Sequence, residues 1–182
     1  MKFYFLIFFV AISFTASSQN DPEKVFWVQD GLAWEDFKAS PDKNSRFDAN
    51  TNAGLSFTWG VKNTNGSIEL TYNVLSYFNP LGSWVKSEPG SEYLLKHEQL
   101  HFDITELHAR KLRKKLAEVD PSSLTKDPKG VLSRLYQAVE KERKNMQLQF
   151  DKESKHSLDK EGEAHWQNFV RTEMLKYEEE NT

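Results

Sequence analysis

Apolar and polar residues alternate twice in the first half of the chain. Ala53, Leu55, Phe57, Trp59 and Val61 take every second position, and Ile68, Leu70, Tyr72 and Val74 do the same. A period of two puts each set on one face of a strand. Between them lies Asn63-Thr64-Asn65-Gly66, and an Asn-Gly pair suits the tight turn of a hairpin. The pattern predicts an antiparallel hairpin with one face buried. A short strand is predicted at 25–28, a short strand or one helical turn at 32–37, and a polar surface loop over 39–52.

The period then changes. Pro80, Gly82, Pro89 and Gly90 mark the exit from the sheet. Ser91 is placed to cap a helix, with Glu92 in its first turn, where the helix dipole favours an anion. Leu100, Ile104, Leu107 and Leu112 form an apolar stripe at helical spacing, which predicts a long helix from about 92 to about 119, ended by Pro121. After a loop over 120–130, Leu132, Leu135, Val139 and Met146 predict a second helix that falters near 151–157. Trp166, Phe169, Val170 and Met174 predict a third. Strands first and helices after is the pattern of an α+β domain.

At 182 residues, with 38% hydrophobic and 28% charged positions, the chain can bury the core of one domain. Its net charge of -3 implies no broad basic surface, and nucleic acid is excluded as a partner on that ground. Residues 1–18 read as a signal peptide: Lys2, the apolar run Phe3 to Phe14, then small residues to a cleavage point after Ser18. Residues 19–182 are then a single exported domain, periplasmic or secreted, with no membrane span left after cleavage. The sequence has no cysteine, so a disulfide framework and thiolate metal ligands are both excluded.

One string carries chemistry. His97-Glu98-Gln99-Leu100-His101 falls on the first long helix and has the form HExxH. Residues i and i+4 share a helical face, so both imidazoles can reach one ion. Glu98 beside them is placed as general base on a water held by that metal. With five histidines in the chain, such a string arises by chance in about one sequence in a hundred.

A catalytic zinc takes three protein ligands, so a third is required. His108 lies about 10 Å further along the helix axis than His101, too far for the same ion, and reads as a surface or packing residue. His156, in the predicted helix break, is favoured. Glu163 is the rival, His165 stays open, and Asp151 is expected as an outer partner that accepts a ring N–H. Asp103 and Glu106 read as ion-pair partners of Arg110 or Lys111, and Tyr93 as packing or cleft wall.

The stretch Leu94 to Ile104 with Ala109-Arg110, and the second stretch Phe150 to Ser157, resemble a bacterial family of unknown function described as secreted and zinc-dependent protease-like, within the HExxH zincins. Trp166, Trp34 to Phe37 and Ser83 to Val85 are similar as well. Phe150, Ser154 and Ser157 depart conservatively from the family pattern, and Glu163 stands where the family has Gln. The resemblance implies a zincin-like fold in which an N-terminal antiparallel sheet precedes a metal-bearing helix and two more helices. It also implies zinc on His97, His101 and His156, with Glu98 as base. The expected function is a secreted zinc metallopeptidase acting on peptide or protein substrates. The alternative is a non-catalytic zinc-binding or partner-binding envelope module on the same scaffold. The sequence assigns no oligomeric state.

Overall fold

A computed structural model describes residues 24–87 and 90–177. The proposed signal peptide, and the start of the mature chain up to residue 23, lie outside the described residues. β1 (Val25–Phe26), β3 (Ala53–Thr64) and β4 (Ser67–Phe78) form an antiparallel sheet in the order β1-β4-β3. β2 (Ala49–Asn50) and β5 (Trp84–Val85) form a separate two-residue ladder. Three helices follow: α1 (Glu92–Ala117), α2 (Pro128–Glu153) and α3 (Lys160–Leu175). Among the described residues no helix is long and apolar enough to cross a membrane.

The hairpin forms as the alternation predicts. Ala53 pairs with Phe78 and Thr64 with Ser67. Asn65 (φ 53°) and Gly66 (φ 90°) supply the two positive φ angles of the turn. Burial is deepest where the hairpin meets the helices, at Leu55, Val74 and Phe78. It fades toward the turn, and Trp59 is 38% exposed although it belongs to the apolar set. Leu55 and Val74 pack with Leu112, Leu116, Leu132 and Val139, which joins the sheet to α1 and α2.

A second apolar cluster ties the three helices together through Leu100, Ile104, Leu107, Phe150, Trp166 and Val170. Ile104 and Leu107 are fully buried, so truncating either to Ala should cost about 2–5 kcal/mol. Each helix begins on a side-chain cap: Ser91 Oγ accepts from the Leu94 N–H, Asp127 from Gly130 and Asp159 from Gly162. α3 starts tight against the end of α2. A Cβ at Gly162 would lie 2.4 Å from the Glu153 carbonyl oxygen, so only glycine fits there.

Residues 32–37 take the second of their two expected forms, one helical turn, as a 3-10 helix at Trp34–Asp36. Two other local expectations change. The strand expected at 25–28 keeps only its first two residues. The loop over 39–52 contains β2, whose Ala49 is buried and pairs with Val85. Two residues are too few to show a period, which is why the polar surroundings masked them.

Candidate metal centre

α1 holds His97 and His101 one turn apart, with ring centroids 5.0 Å apart and planes at 89°. Each ring is pinned at Nδ1 by a different helix. Glu163 Oε2 on α3 lies 2.9 Å from His97 Nδ1. Gln147 Oε1 on α2 lies 2.5 Å from His101 Nδ1, while Gln147 Nε2 donates to the His101 carbonyl at 2.8 Å. That second bond fixes the amide orientation, so Oε1 accepts and Nδ1 carries the proton. Both Nε2 atoms are left to face the same space. The ring of Phe150 backs the pair, with centroids 4.6 and 4.9 Å away.

Asp151, in the last turn of α2, closes the group. Its Oδ1 is 3.1 Å from His101 Nε2 and 3.6 Å from His97 Nε2. One ligand atom from each of His97, His101 and Asp151 lies within 4.8 Å of the others, which is the separation a single metal ion requires. Burial alone would push the His97 imidazolium down. Hydrogen bonds to Asp151 and Glu163 and the charge of Glu98 outweigh it and raise the group to about 9. Burial would raise Asp151, but the bonds from His101 and His97 hold it well below the ordinary carboxylate range. Such a group attracts positive charge whether protons or a cation supply it.

The donor set fits a divalent metal: two imidazole nitrogens with their other nitrogens anchored, and one carboxylate. A further observation supports the fit. Glu98 lines the same cavity of about 960 Å³, and its Oε2 is buried with no hydrogen-bond partner. A buried carboxylate oxygen left without a partner is costly unless something absent from the protein chain supplies one.

The placement of the third group differs from the sequence expectation. Asp151, expected as an outer partner, stands with the two histidines. His156 stands one step beyond, its Nδ1 3.5 Å from Asp151 Oδ1 and its ring against Phe47, centroids 4.4 Å apart. Lys155, His156 and Ser157 all take left-handed backbone (φ 50°, 52° and 67°), and this turn directs the His156 ring toward Phe47. Glu163 is not gathered as a ligand and instead holds His97 from behind.

The remaining residues resolve individually. His108 is a packing residue, fully buried, with Nδ1 donating to the Ile104 carbonyl at 2.7 Å. His165 is exposed on α3, away from the cavity. Glu106 pairs with Arg110 and Arg113, as its spacing suggests, and also accepts from Ser76. Asp103 departs from the expected ion pair: it accepts from the Trp27 indole and from Gln99, both at 2.7 Å. Tyr93 is half-buried with its hydroxyl unpartnered. Gln147 went unnoticed in the sequence because a lone Gln on a polar helix carries no motif. Its signal was position, since Arg143, Gln147 and Asp151 recur every four residues and all line the cavity.

Residues 83–157 match the model of a family described as a bacterial protein of unknown function (DUF922). The matched segment runs from β5 through α1 and α2 to the left-handed turn. It carries His97, Glu98, His101, Gln147, Asp151 and His156, and supports kinship with that family over this span. Comparison with curated proteins and with solved structures gave no match.

Proposed function

We propose that the chain is an exported zinc-dependent metallopeptidase, with His97, His101 and Asp151 as the zinc-holding set and Glu98 as general base. The observation that carries this reading is the unpartnered Glu98 Oε2, buried in the cavity that the two His side chains face. A module that merely held a metal would have no use for a carboxylate there, and leaving one unpaired costs stability.

Zinc in this position would supply Lewis-acid polarisation of a peptide carbonyl and a lowered pKa for the attacking water. The residues do the rest. Glu98 Oε2 accepts the proton as water adds to the carbonyl carbon, then delivers it to the nitrogen as the C–N bond breaks. Glu163 and Gln147 hold the imidazoles with Nε2 forward. His156, with Nδ1 3.5 Å from Asp151 Oδ1, favours the ionised form of that carboxylate through its charge. The resemblance to secreted zinc proteases and the reading of residues 1–18 as a signal peptide support an exported enzyme.

The test is metal content and peptide turnover in the purified chain. About one zinc per chain is expected, lost in Asp151→Ala and retained with weaker affinity in His156→Ala. Glu98→Gln should keep the metal and lose turnover by about 10²–10⁴-fold, the range for a general base. Full turnover in Glu98→Gln would sink the mechanism. Loss of zinc in His156→Ala with retention in Asp151→Ala would transfer the third ligand to His156.

A further inference from the structure

We infer that the cleft selects peptides with an acidic side chain next to an apolar one close to the cleaved bond. This rests on the metallopeptidase reading of the same cleft. The chain carries a net charge of -3, yet its cleft is lined by four cations, Arg46, Arg143, Lys152 and Lys155, against three carboxylates. Two of those carboxylates, Glu98 and Asp151, lie at the floor and face the metal position. Asp48 alone opposes the cations at the mouth.

The cations are not equal. Arg143 is spent on Glu140 through two bonds of 2.8 and 3.0 Å, and Lys155 is held by Asp159 at 2.8 Å. Arg46 and Lys152 are exposed and form no ion pair among the described residues; Arg46 lies over the Phe47 ring at 4.9 Å. They come from two different elements, Arg46 from the loop before β2 and Lys152 from the end of α2. A divalent ion at the floor would offset the Glu98 and Asp151 charges, leaving Arg46 and Lys152 as the free charges that face a substrate, opposed only by Asp48 among the lining carboxylates.

Beside these cations stand two leucines with no packing role. Leu148 is 69% exposed and Leu158 is 83% exposed, and both line the cleft. Leu148 and Lys152 are four residues apart on α2, so an apolar and a cationic side chain project from one helical face. A peptide with an apolar residue beside Asp or Glu covers the leucines and neutralises the free cations in one pose.

Binding and turnover are measured separately. Fluorescent peptide pairs that differ by Glu against Gln, each with a free and an amidated C-terminus, are titrated by anisotropy into the zinc-loaded Glu98→Gln chain. The Glu peptides should bind about tenfold more tightly at low salt, with the advantage shrinking near ~0.5 M salt. An Arg46→Glu, Lys152→Glu double variant should erase or reverse the preference, and Leu158→Ser should weaken both members of a pair alike. Equal binding of Glu and Gln peptides, or a preference that survives charge reversal, would overturn the inference. A preference that follows the free C-terminus would overturn it as well. Acidic-peptide binding without turnover in the wild-type chain would sink the peptidase and leave this inference standing; turnover blind to acidic residues would do the reverse.

Discussion

The two ends of α1 treat histidine in opposite ways. At the cleft end, His97 and His101 give Nδ1 to side chains from other helices and turn Nε2 toward open space. Seven residues beyond His101, His108 gives Nδ1 to its own helix at the Ile104 carbonyl and buries Nε2 with no partner. The charge balance follows. Carboxylates raise His97 to about 9, whereas burial, helped by the nearby Lys111 and Arg143 charges, drops His108 to about 4. What holds the second nitrogen thus decides whether a histidine is free to serve as a metal ligand, and one bound to its own backbone is a core residue.

That contrast can be broken most sharply by substitution at each end. His97→Ala should lower zinc affinity by about a thousandfold or more, beyond the roughly 10- to 100-fold typical of losing an outer partner. His108→Leu should leave affinity unchanged. Competition with a chelator of known affinity reads both.

The next effect is on acid stability. His108 stays neutral in the folded chain down to about 4 but takes a proton near 6.5 when unfolded. Its contribution is therefore present above pH 6.5 and lost as pH falls from 6.5 to 4, by roughly 3 kcal/mol in all. Urea unfolding across that window should be steep in the wild-type chain and flatter in His108→Leu. His97 acts in the other window. In the metal-free chain its stabilisation is complete below pH 6.5 and fades as pH rises toward about 9. Saturating zinc should remove that alkaline limb, because the metal takes the place of the proton.

Smaller effects sharpen the comparison at the cleft end. Glu163→Gln should weaken zinc binding by roughly 10- to 100-fold, since a charged partner raises the basicity of His97 more than an amide does. Gln147→Leu should cost less, about tenfold, because it removes a neutral partner from His101. Isothermal titration of the two variants side by side gives the order, and an equal loss in both would show that the charge on Glu163 is immaterial.

Much of this was written locally in the sequence. The hairpin declares itself through alternation and the Asn65-Gly66 turn, and α1 through its stripe and the Ser91 cap. His97, Glu98 and His101 belong to one helical turn, so their spacing alone brings them together. The third group could not be read in the same way. Asp151 and His156 are five residues apart at the end of α2, and the choice between them depends on where that helix stops. α2 runs through Glu153, which keeps Asp151 on the face turned to α1. The left-handed residues 155–157 then carry the His156 ring to Phe47. Non-glycine residues in that conformation leave little trace in a sequence. Glu163, a rival ligand on sequence grounds, stands behind His97 instead, a place that depends on how α3 docks.

That docking gives a mechanical reading of a residue with no chemistry of its own. Gly162 lets α3 approach the Glu153 carbonyl more closely than any side chain permits, and Glu163 is the next residue along. The missing methyl group therefore works as a spacer of zero thickness between two helix ends. Gly162→Ala would lift the start of α3 off α2 and carry Glu163 away from the imidazole it now meets at 2.9 Å. The proposed metal site would loosen without any change to the residues proposed to form it. The strength of this site is set partly by the clearance at a joint between two helices.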